Sequence, residues 1–208
     1  MKKIWVSLLI LTTLNAYSQQ FATADDGRRI RLNEDGTWQV IKPEAGGLTD
    51  STVKIFLKPQ SSTVYLKSVK NRFGFWYDKS TWKVSKQISN EAAEFELQLL
   101  KGDGYCMFIS EKIEIDVENL KEIAIKNAQT EDPNIKIDRE ENRVINGQKV
   151  KFLQMSGEMH GVKFVYLGYY TSNEAGTLQF VCFTAKNLLK EYEGDFVNML
   201  NGLVVAAQ

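Results

Sequence analysis

The sequence predicts an α+β protein in which an antiparallel β-sheet is flanked by helices, with a small β-meander at the N-terminus. Residues 143–186 combine β-branched and aromatic runs with three turn signals, at Asn146-Gly147, residues 158–161 and residues 173–176. This is the pattern of an antiparallel meander. One stretch before the meander and one after it place apolar residues at intervals of three and four, as amphipathic helices do.

Length and composition limit the possible classes of protein. The chain has 208 residues, of which 43% are apolar and 25% charged, as in folded soluble proteins. This length suffices for one ordinary core with a small appendage, or for two small domains. Lysine plus arginine number 26, and aspartate plus glutamate also number 26, so no net field attracts nucleic acid. We therefore expect no nucleic-acid partner.

The N-terminus has the three regions of a secretory signal peptide, which we assign to residues 1–18. Lys2 and Lys3 form the charged start, residues 4–14 the apolar segment, and Ala16-Tyr17-Ser18 the cleavage site. Polar residues interrupt the apolar run, which leaves it too short for a transmembrane anchor. No cysteine stands at the cleavage site to carry a lipid. We expect export to the periplasm or the extracellular medium, with no transmembrane anchor after cleavage.

Export changes how the two cysteines are interpreted. Cys106 and Cys182 both lie in strand-like runs. In an oxidising compartment the pair could form a disulfide. Alternatively, both are buried thiols that pack as small hydrophobic side chains. Sequence does not supply the Cα separation that decides between these two interpretations.

Residues 19–50 predict a small β-meander followed by a linker, and residues 51–208 form the predicted main domain. Asp26-Gly27 and Asp35-Gly36 are hairpin-turn dipeptides, and strands are expected between them and after them. Pro43 and Gly46-Gly47 mark residues 42–50 as the linker. The Asp-Gly-Thr-Trp sequence at residues 35–38 resembles an element found near the start of many secreted bacterial proteins.

The main domain is expected to contain strands before and after its first helix. Strands are predicted at residues 53–57, 63–69, 94–100 and 105–117, and an aromatic cluster lies at residues 71–82. Asp116 suits a helix N-cap, and Asp132-Pro133 ends that helix. A charged turn is expected at residues 139–142, between strands at 135–138 and 143–145. A second helix at residues 187–203 follows the meander, and Gly194 weakens it.

The order of these elements over residues 69–205 resembles the PsbP-like superfamily, which includes the extrinsic photosystem protein and a nuclear Ran-binding factor. The local matches are Phe73 to Trp82, Gly168-Tyr169-Tyr170, residues 178–184 and residues 195–200. Family members often have a proline between the first aromatic residue and the tryptophan, where this chain has Asp78. The resemblance implies a sheet between helices, an α/β/α sandwich, and non-enzymatic binding or assembly roles. It assigns no site residue, because a fold alone does not transfer a function.

The sequence contains no enzyme signature. There is one histidine, and there is no nucleophile elbow, zinc-protease motif or phosphate-binding glycine loop. His160 lies in a predicted hairpin turn, where we expect an exposed residue without a catalytic role. The alternation of Lys112, Glu114 and Asp116 indicates a solvated sheet face rather than a metal site. We therefore predict no catalytic residue, metal or cofactor.

Three functions remain as hypotheses. The first is a secreted, non-enzymatic binding or assembly protein of the bacterial cell envelope, whose partner is another envelope protein bound through a sheet face or the aromatic cluster at residues 71–82. The second is a carrier of a small apolar or aromatic ligand, with Trp76, Tyr77, Tyr169 and Tyr170 as candidate binding residues. The third is a carboxylate-based hydrolase, which needs two acids at the right separation. Aromatic residues in strands more often pack in the core, so the aromatic cluster is also expected to be buried.

Overall fold

The structure is a computed structural model that describes residues 20–23, 29–32, 37–40 and 53–206. The chain divides into two units, Met1–Ser51 and Thr52–Gln208. In the first unit, β1 (Gln20–Thr23), β2 (Arg29–Leu32) and β3 (Trp38–Val40) form the expected antiparallel meander. The signal peptide, both Asp-Gly turns and the linker at residues 42–50 lie outside the described residues.

The second unit is built on a wide sheet. Its strands are β4 (Lys54–Phe56), β5 (Val64–Lys67), β6 (Phe73–Tyr77), β7 (Trp82–Val84), β8 (Phe95–Leu99), β9 (Tyr105–Glu111), β10 (Lys136–Ile145), β11 (Gln148–Met159), β12 (Val162–Asn173), β13 (Gly176–Ala185) and β14 (Leu203–Val205). Eight of them form one sheet in the order β4-β10-β11-β12-β13-β9-β8-β7. All its neighbours are antiparallel except β4, which runs parallel to β10. The sheet is therefore mixed at this edge and antiparallel elsewhere.

The predicted meander is confirmed as β10 to β13, because its turns have the chemistry that tight hairpins need. Asn146 and His160 both have positive φ angles, of 49° and 51°, and each is followed by a glycine with positive φ. Two consecutive residues in this region define a type I′ turn, which matches the twist of the strands it joins. His160 is exposed in its turn, as expected.

The charged turn predicted at residues 139–142 is wrong, since β10 continues through it. The register with β11 shifts between Ile137 and Arg139, so a bulge takes up the irregularity that looked like a turn. The successive acids Glu140 and Glu141 point to opposite faces, where Lys151 and Arg143 respectively pair with them. A strand with charged residues on both faces lacks the usual apolar alternation, so its sequence resembles that of a loop.

Both predicted helices are present; the first has the predicted ends, and the second is shorter than predicted. The first, α1 (Val117–Glu131), begins at the predicted N-cap, because the Asp116 carboxylate accepts hydrogen bonds from two backbone amides. The strand predicted at residues 105–117 stops at Glu111, and the backbone amide of Ile115 instead donates to the Ser172 hydroxyl. The second, α2 (Leu189–Leu200), follows a short 3-10 turn and continues through Gly194.

The C-terminal residues form a strand rather than the end of α2. Leu203 lies in β14, which pairs with β6, and β6 pairs with β5 to make a three-stranded sheet. This small sheet and α2 cover one face of the wide sheet, and α1 covers the other. The rings of Phe75, Phe108 and Phe180 meet between the two sheets, with centroids 4.9 to 5.4 Å apart. Neither helix is long and apolar enough to span a membrane.

Candidate functional site

The helix α1 covers only the middle of its face of the wide sheet. Its buried residues Leu120 and Ala124 pack on Leu153, Met155 and other side chains of the central strands. At its start, the buried ammonium of Lys151 is bonded to Glu118 of the helix at 2.7 Å and to Glu140 of β10 at 2.9 Å. These contacts fix the helix over β11 and β12. On the neighbouring strand β13, Val181 packs in the same cluster, whereas Gln179 on the same face and Met107 of β9 are partly exposed.

A groove of about 350 Å³ lies between α1 and the strands β9 and β13; we call it the α1 groove. Its floor and walls come from the strands, from α1 and from the loop before β8, and the residues are Asn90, Ala92, Met107, Ile109, Ala124, Asn127, Ala128, Glu131, Met155, Tyr166, Tyr170, Gln179 and Val181. The floor is mostly apolar. Glu131 is the single charged residue in this lining. The groove therefore suits an uncharged or weakly polar ligand with an apolar body.

Tyr170 is the most deeply placed polar residue of the α1 groove. It is 1% exposed, and its hydroxyl has no hydrogen-bond partner among the described residues. Burial raises the pKa of the Tyr170 phenol, so the group stays neutral and acts as a donor. Its ring lies across Gly168, where a Cβ atom would come within 2.8 Å of it. The sequence Gly168-Tyr169-Tyr170 thus opens the space in which the phenol lies.

A row of aromatic side chains borders the groove. Tyr166, Phe183 and Tyr105 stand directly opposite one another on β12, β13 and β9. The rings of Tyr166 and Phe183 are 5.7 Å apart, and those of Phe183 and Tyr105 are stacked at 5.4 Å. Because each ring supports the next, this end of the groove is held by packing rather than by a loop.

Tyr169 points to the opposite face and belongs to the core. Its hydroxyl donates to the Asn201 side chain at 2.8 Å and accepts from Arg143 at 3.3 Å. The Arg143 guanidinium lies 3.6 Å from the centroid of the Phe152 ring and is bonded to Glu141. Burial alone would raise the pKa of Glu141, but hydrogen bonds from Arg143, Lys54 and Arg139 outweigh it and lower the pKa to about 2. Tyr169 is therefore a buried link between the sheet and the C-terminal segment.

The remaining predicted residues lie on β6, away from the α1 groove. Tyr77 is buried in the core together with Phe73, Phe75 and Trp82, which confirms the expectation that the aromatic cluster packs. Trp76 is half-buried on the other side of the strand, 5.0 Å from the Tyr65 ring and below the Lys58 ammonium. Of the four predicted binding residues, Tyr170 alone lines the groove, so the structure does not bring them together.

Asp78 and Asp195 are two neighbouring acids of the kind that a hydrolase would need. Both line a small cleft beside Trp82. Hydrogen bonds from Ser80 lower the pKa of Asp78, while burial and then the Asp78 charge raise the pKa of Asp195. The cleft has a volume of about 20 Å³, which is room for about one water molecule. It cannot admit a sugar ring. Within the described ranges, no three metal-ligating side chains cluster.

Cys106 and Cys182 are directly opposite each other on β9 and β13, on the core face. Both are fully buried free thiols, and their sulfur atoms are 3.2 Å apart. Burial, and then the neighbouring Cys106 thiol, raise the pKa of the Cys182 thiol. The register places the two residues where a cross-strand bridge would have to form, and the disulfide itself stays a prediction.

We expect both thiols of the reduced protein to resist alkylation in the native state, because fully buried thiols are not accessible to the reagent. Intact-mass measurement after maleimide treatment at pH 8 should show no adduct. The same treatment in concentrated urea should add two adducts. Rapid labelling without denaturant would contradict the buried placement, and resistance in urea that ends on reduction would indicate the disulfide.

The layer order, strand order and helix positions together define a PsbP-like α+β fold. The solution structure of cyanobacterial PsbP (CyanoP) from Synechocystis sp. PCC 6803 is similar, with 14% identity, 71% of this chain and 95% of that chain covered, and a TM-score of 0.52. A Pseudomonas aeruginosa protein of unknown function, titled a putative regulator, has 12% identity, coverage of 65% and 92%, and a TM-score of 0.44. A Bacteroides thetaiotaomicron protein has 14% identity, coverage of 71% and 50%, and a TM-score of 0.43.

No protein-family model and no curated protein sequence matches the chain. At these identities the cyanobacterial protein supports the fold and leaves the function to be argued from the groove itself.

The sequence analysis does not predict several residues of the α1 groove as site residues. Met107, Ile109, Gln179 and Val181 lie at alternate positions of β9 and β13, and they look like ordinary strand residues. The available signal was Gln179, a polar residue within the otherwise apolar run 178–183. An uncharged amide at that position indicates that one face of β13 meets something other than the core.

Proposed function

We propose that the protein is an exported, non-enzymatic binding protein that holds a small ligand with an apolar or aromatic body in the α1 groove. The observation that carries this proposal is the position of Tyr170: its side chain is 1% exposed and lines an apolar floor, and its hydroxyl has no hydrogen-bond partner in the described part of the chain. Within the described ranges, no buried side-chain polar atom lacks a hydrogen-bond partner, so the unpartnered Tyr170 hydroxyl is accessible from the groove and can bond to water or to a ligand.

The form of the site supports binding rather than chemistry. Its volume lies at the lower end of the range of small-molecule pockets. The floor is carried by central strands, so its side chains are held in place by the core beneath them. No nucleophile with an adjacent base lines it. These features favour a carrier or a ligand sensor of the cell envelope.

The proposal is tested by blocking the groove. Ala128 lines the groove on α1, and the adjacent Gln129 is exposed outside it. We expect some compounds of an apolar and aromatic library to raise the melting temperature of the wild type, since a ligand at about 100 times its Kd stabilises by about 2.7 kcal/mol. The same compounds should raise the melting temperature of Gln129→Trp and leave the melting temperature of Ala128→Trp unchanged.

Two results would count against the groove. One is a library in which nothing stabilises the folded wild type. The other is a stabilisation that Ala128→Trp retains in full, which would place the ligand elsewhere.

A protein partner is the second candidate, because apolar side chains are exposed on the edge strand β4 and directly after it. Ile55 is 71% exposed and Leu57 is 73% exposed. Beside them a hollow of about 700 Å³ is lined by Val53, Ile55, Val117, Val144 and other residues. An open strand edge with apolar side chains is a place where another chain can add a strand. Loss of crosslinking to an envelope protein in Ile55→Lys, with ligand binding retained, would support this second function.

A further inference from the structure

The α1 groove carries two unpartnered hydrogen-bonding groups of complementary kind. Tyr170 and Gln179 are directly opposite each other on β12 and β13, and both line the groove. Neither side chain has a hydrogen-bond partner within the ranges that the structure describes. The Tyr170 phenol is protonated at neutral pH and offers an O–H donor. The Gln179 side chain offers both a carbonyl acceptor and an amide donor. The pair can therefore receive an acceptor and a donor from one ligand group.

The charge of the lining residues further restricts the class of ligand that the groove can bind. Among the residues that the structure describes, no lysine, arginine or histidine lines the groove, and Glu131 is the one charged residue of the lining. A carboxylate or a phosphate would lose its hydration without gaining a cation, and Glu131 would repel it. Anionic ligands are therefore disfavoured. The remaining class of ligand is one with a neutral group that both donates and accepts hydrogen bonds.

The apolar floor lies next to this pair of groups. Val181 follows Gln179 on the same face of β13, and Met107 is directly opposite Val181 on β9. Methionine is flexible and polarisable, so it adapts to a small apolar group. A methyl or short alkyl group attached to the polar part of a ligand would contact this surface.

From these contacts we infer that the α1 groove recognises an uncharged N-acyl group, a secondary amide with its methyl or alkyl substituent. The amide carbonyl accepts from the Tyr170 hydroxyl, the amide N–H donates to the Gln179 carbonyl, and the acyl carbon packs on Val181 and Met107. N-acetylated amino sugars and acylated peptides share this chemistry. The inference rests on the proposed function, since it requires that the groove takes a small ligand.

The test compares ligands with and without the N-acyl group by titration calorimetry on the full chain. The trisaccharide of N-acetylglucosamine and N-acetylalanine methylamide carry the group, and cellotriose matches the trisaccharide without it. We expect at least one acylated ligand to bind, and to bind at least about tenfold more tightly than cellotriose in the saccharide series, because a site built to hydrogen-bond a group rejects the analogue that lacks it. Which of the two acylated ligands binds distinguishes a sugar source from a peptide source.

Two substitutions locate the contact. Tyr170→Phe and Gln179→Met should each weaken binding about tenfold, while the wild-type melting temperature is retained, since neither side chain has a protein hydrogen bond to lose in the described part. Tyr105→Phe is the matched control, because Tyr105 lies on the same sheet face outside the groove lining. It should leave the Kd unchanged.

Three outcomes would overturn the inference: no binding of either acylated ligand, equal binding of cellotriose, or full binding in both Tyr170→Phe and Gln179→Met. If library compounds without an amide still stabilise the wild type and not Ala128→Trp, the groove function stands and the N-acyl specificity fails. If no compound of either set binds, both fail.

Discussion

Replacing Arg143 with methionine is expected to lower the free energy of unfolding by about 3 kcal/mol. The Arg143 side chain is 2% exposed and is stacked 3.6 Å from the Phe152 ring centroid. Its removal leaves the buried Tyr169 hydroxyl without a donor and takes one cation from Glu141. Methionine keeps the apolar stem, so most of the loss comes from the polar contacts. Urea denaturation followed by tryptophan fluorescence measures the change.

Arg139 is the matched control for this prediction. It also bonds Glu141, at 2.8 Å, and also lies over the Phe152 ring, at 4.9 Å, yet its side chain is 40% exposed. Solvent screens an exposed pair, so Arg139→Met should cost less than about 1 kcal/mol. Equal losses from the two substitutions would show that burial does not control the strength of this network.

The second large effect is expected at Gly202, where Gly202→Ala should lower the free energy of unfolding by about 3 kcal/mol. A Cβ atom there would overlap the backbone carbonyl of Trp76. The Trp76 backbone amide donates to the Gly202 carbonyl at 2.9 Å, so these two segments of the chain cannot move apart without losing this hydrogen bond. The strain would fall on the β6–β14 pairing. Amide hydrogen exchange should show that pairing opening first.

In the same C-terminal region, Gly194→Ala is expected to have the opposite effect on stability. Gly194 lies inside α2, and a Cβ atom there would meet nothing within 4 Å. Alanine should therefore raise the free energy of unfolding by up to about 1 kcal/mol, because glycine is the poorer helix former. Destabilisation at Gly194, or tolerance at Gly202, would contradict the packing described for α2 and β14.

The parts of the fold that depend on local chemistry could be predicted from sequence. Asn146-Gly147 specifies its own turn, because two positive φ angles suit asparagine and glycine and few other pairs. Asp116 likewise specifies the start of α1 through its own side chain. The resemblance to the PsbP-like superfamily then supplied the layer order, which the similarity to the cyanobacterial structure confirms.

The parts that depend on distant partners could not be predicted. β4 runs parallel to β10 across a separation of almost ninety residues, and nothing within Lys54–Phe56 indicates its direction. Leu203 continues the helical spacing of α2, but pairing with β6 places it in a strand. The continuity of β10 depends on Lys151 and other charges elsewhere in the chain that neutralise its acids.

The candidate site was predictable only in part for a similar reason. Tyr169 and Tyr170 are adjacent, so alternation places them on opposite faces of β12. The sequence does not indicate which face is covered by the core and which by the edge of α1. That choice depends on where the helix lies across the sheet, and the helix covers fewer strands than the sheet contains.

Alternation along β13 also separates two kinds of evolutionary constraint. Phe180 and Cys182 lie in the core, whereas Gln179 and Val181 line the groove one residue away. Val181 also packs beneath α1, but substitutions at Gln179 leave the core packing in place, so descendants of this chain can acquire new ligands while they inherit an unchanged scaffold. Related chains should accordingly diverge faster at residues 107, 109 and 179 than at residues 106, 108, 180 and 182.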